Sequence, residues 1–207
     1  MKIEKTSLDG VLVLEPEFRF EDHRGEIVCA LERNRIKLGD IALHQAGHIY
    51  TGIVGPEFIK HNFSVSYKNV LRGIHVSNCF KLAYCPFGSI YLVAVDCRQG
   101  SESFGQWVAL EVNGNNRKMI LIPPMFGLAH LVRSQIAVFY YHWSGGCDGD
   151  EQVGYRWDSF GIEWPTKKPI LSERDRSAAF LYFKRETSGF SDAPSEQLRK
   201  MAEEDQR

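Results

Sequence analysis

The 207-residue chain has no apolar run approaching the roughly 18 to 20 residues that a membrane-spanning helix requires, which excludes a helical span. It also lacks an excess of either charge. The 25 Lys and Arg against 26 Asp and Glu leave a formal net charge of -1, with no bulk basic field to gather nucleic acid. Cysteines are few. Five are scattered at Cys29, Cys79, Cys85, Cys97 and Cys147 without a CxxC pair. An odd, dispersed set reads as reduced thiols rather than as a disulfide framework. No internal repeat or low-complexity block is present. The N-terminus, Met1-Lys2-Ile3-Glu4-Lys5, is charged and runs into a strand-like segment, which is not a secretory signal. These absences leave a soluble, cytoplasmic, globular protein with no membrane or nucleic-acid partner as the expectation.

What is there reads as β structure. Runs rich in apolar, β-branched and aromatic residues recur at short intervals: Val11–Leu14, Ile27–Leu31, Phe63–Tyr67, Lys81–Cys85, Ile90–Val95, Trp107–Val112, Lys118–Ile122 and Ile136–Trp143. Gly88-Ser89 and Asn113-Gly114-Asn115-Asn116 lie between such runs and carry hairpin chemistry. The pattern predicts an all-β sandwich or barrel over residues 1–183 as a single domain. Glu32–Asp40 reads as a short helix or a loop. Residues 184–207 form a polar tail, where Ser191-Asp192-Ala193-Pro194 is a helix start and only Leu198 and Met201 offer apolar contact.

The run Arg72-Gly73-Ile74-His75, continued by Ser77, Lys81 and Gly88, has the spacing of a metal-cupin ligand motif. Ser77 stands where a second His belongs and Lys81 where a Glu belongs. An ammonium cannot ligate a cation and is repelled by one, so no metal is expected. Strand alternation places Gly73 and His75 on one face and Arg72 and Ile74 on the other, unless Gly73 marks a bulge. His75 alone would read as a structural histidine. It has company, however. Ile122-Pro123-Pro124-Met125-Phe126-Gly127-Leu128-Ala129-His130 is a Pro turn followed by Gly and His, which delivers a second His to a barrel interior. In Val138-Phe139-Tyr140-Tyr141-His142-Trp143 one of the two tyrosines must face inward. Leu171-Ser172-Glu173-Arg174-Asp175 is by itself a helix-capping signal.

The ordered set resembles the dTDP-4-dehydrorhamnose 3,5-epimerase family. The resemblance rests on Phe20-Glu21-Asp22-His23-Arg24-Gly25, Asn62-Phe63-Ser64, Val70–His75, Lys81-Leu82, Val93–Arg98, Ser103–Trp107, Ala129-His130, Phe139-Tyr140-Tyr141, Arg156-Trp157-Asp158, Gly161–Pro165 and Leu171–Asp175. It implies a cofactor-free cupin, a double-stranded β-helix jelly roll with a few short helices and a C-terminal tail helix. It further implies a homodimer acting on a nucleotide-sugar substrate. His75 would be the catalytic base and Asp175 its orienting partner. Lys81 would stabilise an enolate oxygen, and Tyr141 would be the acid. Arg24, Asn62, Arg72, His130 and Arg174 fall on substrate-binding positions, Arg174 standing where the family has Lys.

These assignments have a chemical rationale of their own. Deprotonating a carbon beside a ketone with an imidazole, ordinarily of pKa about 6.5, requires stabilisation of the charge that develops on oxygen. Inversion then requires an acid on the opposite face, and a phenol of pKa about 10 can serve. The departures from the family fall on recognition. Cys29 stands where Glu helps fix the thymine, and Trp143-Ser144-Gly145-Gly146-Cys147-Asp148 replaces a segment with paired tyrosines. The expectation is therefore an epimerase of a nucleotide-linked 4-keto sugar, acting at C3 or at C3 and C5. A GDP- or CDP-linked sugar is suspected, with Trp143 as a substitute stacking surface. The alternatives are a non-catalytic nucleotide-sugar-binding cupin and a 3,4-ketoisomerase.

Overall fold

The computed structural model describes residues 2–17, 19–29, 43–45, 48–50, 58–144 and 153–181. The segment Glu32–Asp40 and the tail from 184 onward lie outside the described residues. The strands are β1 (Lys2–Lys5), β2 (Leu12–Glu15), β3 (Arg19–Asp22), β4 (Gly25–Val28), β5 (Leu43–Gln45), β6 (His48–Tyr50), β7 (Phe58–Tyr67) and β8 (Leu71–Val76). They continue as β9 (Lys81–Phe87), β10 (Ser89–Asp96), β11 (Trp107–Asn113), β12 (Met119–Ile122), β13 (Phe126–Val132), β14 (Ile136–Ser144) and β15 (Val153–Gly154). A single turn of 3-10 helix, Ser159–Gly161, and a short helix, α1 (Glu173–Ser177), complete the described part.

Two sheets face each other. One has six strands in the order β1-β2-β12-β9-β14-β7, and the other has five in the order β11-β10-β13-β8-β15. The two hairpins β3-β4 and β5-β6 stand apart from them. The core between the sheets takes Ile90, Leu92, Ala94, Phe126 and Leu128 from one side and Ala83, Ile120, Ile122, Ala137 and Phe139 from the other. The unbroken apolar run of β10 is explained by its second face. Tyr91, Val93 and Val95 pack under Phe160 and Ile162, which come from the irregular segment after β15. A strand covered on both sides has no solvent face on which to place polar residues.

Two turn signals act differently from the sequence expectation. β9 and β10 flank Gly88 but belong to different sheets, as do β11 and β12 around Asn113–Asn116. Neither is a hairpin. Both are corners where the chain crosses between layers, and the positive φ of Gly88 (81°) serves the corner. Turn chemistry specifies a reversal of direction, whereas pairing is decided by which sheet receives the next strand. The cysteines also depart from expectation at one position. Cys29, Cys85 and Cys97 are free thiols, but Cys79 is disulfide-bonded.

Strand β7 inverts the usual surface pattern. Ile59, Phe63, Val65 and Tyr67 alternate along its outer face and are 53–68% exposed, while Asn62, Ser64 and Ser66 point to the opposite face. A row of large exposed apolar side chains on a long edge strand marks a contact surface.

Candidate active site

The site is organised by a bulge in β8. Opposite β13, Leu128 pairs with His75, but His130 pairs with Arg72, so between them the one residue Ala129 faces two residues of β8, Gly73 and Ile74. Strict alternation would put Arg72 and His75 on opposite faces. The extra residue turns both onto the same cavity and leaves Ile74 in the outer core. Gly73 makes this possible. Its φ is 111°, and a Cβ there would lie 2.5 Å from the Leu128 carbonyl oxygen and 2.7 Å from Ala129 Cβ. No side chain fits between the strands at that point.

The cavity has a volume of about 210 Å³. Arg72, His75, Leu128 and His130 line it from the five-stranded sheet; Ser64, Lys81, Phe139, Tyr141 and Trp143 line it from the six-stranded one, and Arg174 closes it from α1. Along β14 alternation sends Tyr141 inward beside Phe139, while Tyr140 stacks outside between Phe63 and Tyr84.

His75 Nε2 lies 2.7 Å from Asp175 Oδ1. Helix α1 aims that carboxylate. Ser172 caps the helix, its hydroxyl accepting the Asp175 backbone N–H at 3.1 Å. The capping motif thus serves the dyad as well. Asp175 is buried, which alone would raise its carboxyl pKa, yet bonds from His75, Ser172 and the Gly73 backbone hold it below the usual carboxylate range. It is an anion, and with Nε2 engaged the free ring nitrogen of His75 is Nδ1.

Lys81 is 2% exposed and donates to the His75 carbonyl oxygen at 3.1 Å. Burial pushes its ammonium down to about 7. His130 is driven further, to about 3, by burial and then by the nearby Arg72, and is a neutral imidazole. Burial raises the Tyr141 phenol, so it keeps its proton at neutral pH. Arg72 is steadied by Ser66, its Nε donating to the hydroxyl at 3.1 Å.

The remaining candidates are placed less directly. Asn62 sits opposite Tyr141 on the neighbouring strand without lining the cavity. Trp143 lines it but is 6% exposed, with Lys60 Nζ 4.8 Å from its ring centroid, so the face expected to stack a base is already covered. Arg24 is not at the cavity. It pairs with Asp22 in the β3-β4 turn, and Glu26 of the same hairpin pairs with Arg117 at the far end of β9 from Lys81. Cys29 follows that hairpin. Ser66 and Lys60 escaped the sequence reading, whereas Gly73 was raised there as a bulge. The lone Gly inside a strand pattern was the signal for the bulge, whereas Lys60 and Ser66 carried none.

Fold and site together define a class, the cupin-type epimerases. A family model described as dTDP-4-dehydrorhamnose 3,5-epimerase matches residues 5–182. The dTDP-4-dehydrorhamnose 3,5-epimerase of Shigella flexneri is 32% identical over 183 residues, covering 84% of this chain and 93% of its own. The crystal structure of the Elizabethkingia anophelis enzyme of that name superposes with a TM-score of 0.72 at 30% identity, covering 87% of this chain and 96% of that one. A Legionella pneumophila 3,5-epimerase solved with dTDP-4-keto-L-rhamnose gives 0.74 at 27% identity, covering 89% and 99%. The chain belongs to the dTDP-4-dehydrorhamnose 3,5-epimerase family, and it is an isomerase.

Proposed function

We propose that the chain inverts C3, or both C3 and C5, of a nucleotide-linked 4-keto sugar without a cofactor. The observation that carries this reading is the opposition of His75 and Tyr141 across one cavity, the first on the five-stranded sheet and the second on the six-stranded sheet. His75 Nδ1 takes the proton from the carbon beside the ketone. The electron pair moves into an enolate whose charge gathers on the C4 oxygen, where the Lys81 ammonium meets it. The Tyr141 phenol returns a proton from the opposite face, after which the tyrosinate regains its proton from solvent and the His75 imidazolium releases its own to solvent. Asp175 fixes the ring of His75 and favours the imidazolium that forms. Both C3 and C5 flank the same carbonyl, so one such site serves either carbon.

Arg72 and Arg174 are the binding cations on the His75 side, and His130 offers a neutral imidazole to the sugar. Arg24 is held at the far end of β9, so in this arrangement it reaches a nucleotide only in the site of another copy. Together with the exposed apolar row of β7, that placement supports a homodimer. The same hairpin leads to Cys29, so the base is recognised away from the cavity. The relatives described above are named for dTDP-linked sugars, and Cys29 is the reason to include GDP and CDP sugars among the substrates to be tried.

Proton NMR of dTDP-, GDP- and CDP-linked 4-keto sugars incubated with the protein in D2O tests the reading. Deuterium at C3 alone defines a mono-epimerase, and deuterium at C3 and C5 a double epimerase. Appearance of a C3 ketone defines a ketoisomerase instead. No exchange with any of the three sinks the catalytic reading in favour of a binding cupin.

A further inference from the structure

Lys81 and Trp143 are partners across two strands. They stand directly opposite each other on β9 and β14, and Lys81 Nζ lies 5.6 Å from the centre of the indole ring. That is within the roughly 6 Å over which a cation is drawn to an aromatic face. An ammonium carries three N–H donors, and burying it is costly unless they find partners. At Lys81 one donor goes to the His75 carbonyl oxygen, at 3.1 Å. Among the described residues no carboxylate forms an ion pair with it. The indole is the second partner that the fold supplies. Trp143 is also an expensive choice for packing alone. It is buried, and its Nε1 has no hydrogen-bond partner among the described residues. An unmet buried donor is a penalty that Phe or Leu would avoid. What Trp adds over either is the ring face that attracts cations most strongly.

We infer that Trp143 is the positioning residue of Lys81: its ring face and the His75 carbonyl fix the ammonium and leave the third N–H for the C4 oxygen of the sugar. The inference rests on the substrate reading given above. A carboxylate in place of the ring would hold the cation more tightly, but it would cancel the field that meets the enolate. An aromatic quadrupole has no net charge and leaves that field in place. The other groups around Lys81 do not supply the missing attraction. Arg72 and Arg174 line the same cavity, and Lys60 lies 4.8 Å from the same indole centroid; all three are cations and repel it. Asp175 is an anion, already paired with His75. His130, the Tyr141 phenol and the Cys97 thiol, the last pushed up to about 12 by burial, are neutral at neutral pH.

The test reads Lys81 directly. Protein labelled with carbon-13 at the lysine ε carbons is titrated by NMR, and the Lys81 signal is identified by its loss in Lys81→Met. Replacing Trp143 site-specifically by tryptophans with increasing numbers of ring fluorines drains negative charge from the face while keeping its shape. The Lys81 midpoint should fall step by step, by about 0.5 to 1.5 pH units in all, and the alkaline limb of kcat/KM should move down with it. Trp143→Leu removes the face and should lower the midpoint at least as far, and Trp143→Phe should recover part of the loss. A midpoint that fluorination leaves within about 0.2 units of the parent overturns the assignment. So does a rise in Trp143→Leu toward the reference value of 10.5, the sign expected if the ring only excludes water. A midpoint that falls as expected, in a protein that exchanges no C3 proton with dTDP-, GDP- or CDP-linked 4-keto sugars, upholds the pairing and overturns the substrate reading.

Discussion

Gly73→Ala is the sharpest probe of how the site is built. The added methyl would sit at a φ of 111°, outside the regions open to L-residues, and 2.5 Å from the Leu128 carbonyl oxygen. Holding a side-chain-bearing residue in such a conformation costs about 1 to 3 kcal/mol. Forcing a methyl into a packed strand interface costs about 1 to 3 kcal/mol more. The sum, about 2 to 6 kcal/mol, corresponds to a Tm lowered by about 4 to 24 °C for a protein of this size. Relief comes only by flattening the bulge, which would return Arg72 and His75 to opposite faces. Thermal denaturation followed by circular dichroism should show the drop, and C3 deuterium exchange should fall by at least about a hundredfold, the contribution of a positioned base. An alanine variant with the parental Tm and parental exchange would refute the claim that the bulge places the catalytic pair.

His75→Asn should abolish C3 exchange by about a hundred- to ten-thousandfold while the circular dichroism spectrum is preserved; retained turnover would remove the base from the mechanism. Tyr141→Phe should let C3 exchange continue while epimer formation falls, and greater damage from Tyr140→Phe would contradict the inward register of Tyr141. Lys81 links pH to both stability and rate. Its folded pKa of about 7 lies below the reference value of 10.5, so between those values the unfolded chain binds more protons and stability rises with pH. Below about 7 the full cost of burying the ammonium persists. Chemical denaturation of Lys81→Met should therefore show a gain over the parent at pH 6 that shrinks toward pH 10, and a constant difference would contradict the buried ammonium. In the parent, kcat/KM should fall as the enolate-stabilising charge is lost on raising pH through about 7, and a flat profile to pH 9 would contradict that role.

The all-β class and most strands were legible because alternation and β-branched runs report burial residue by residue. The strand run Ile90–Val95 followed from that local rule, which also required one of Tyr140 and Tyr141 to face inward; the choice of Tyr141 came from the family resemblance. Sheet membership was not legible at Gly88 or at Asn113–Asn116, since the same turn chemistry serves a hairpin and a crossing between layers. The residues themselves showed the dyad only in its two halves, and their meeting was implied by the family resemblance alone. His75 and Asp175 are separated by 100 residues, and Ser172-Glu173-Arg174-Asp175 describes only a helix cap until β8 is packed beside it.

By itself the sequence determined a β fold with a His, a Lys and a Tyr in family register, because residue chemistry and period-two patterning are local properties. Tertiary structure alone decided that Arg72 and His75 share a face, that Lys81 is dry enough to lose its proton near neutrality, that Lys60 covers Trp143, and that Arg24 stands away from the cavity. Each of these depends on which strands lie side by side and on what surrounds a side chain after folding. Neither is written in the residues next to it.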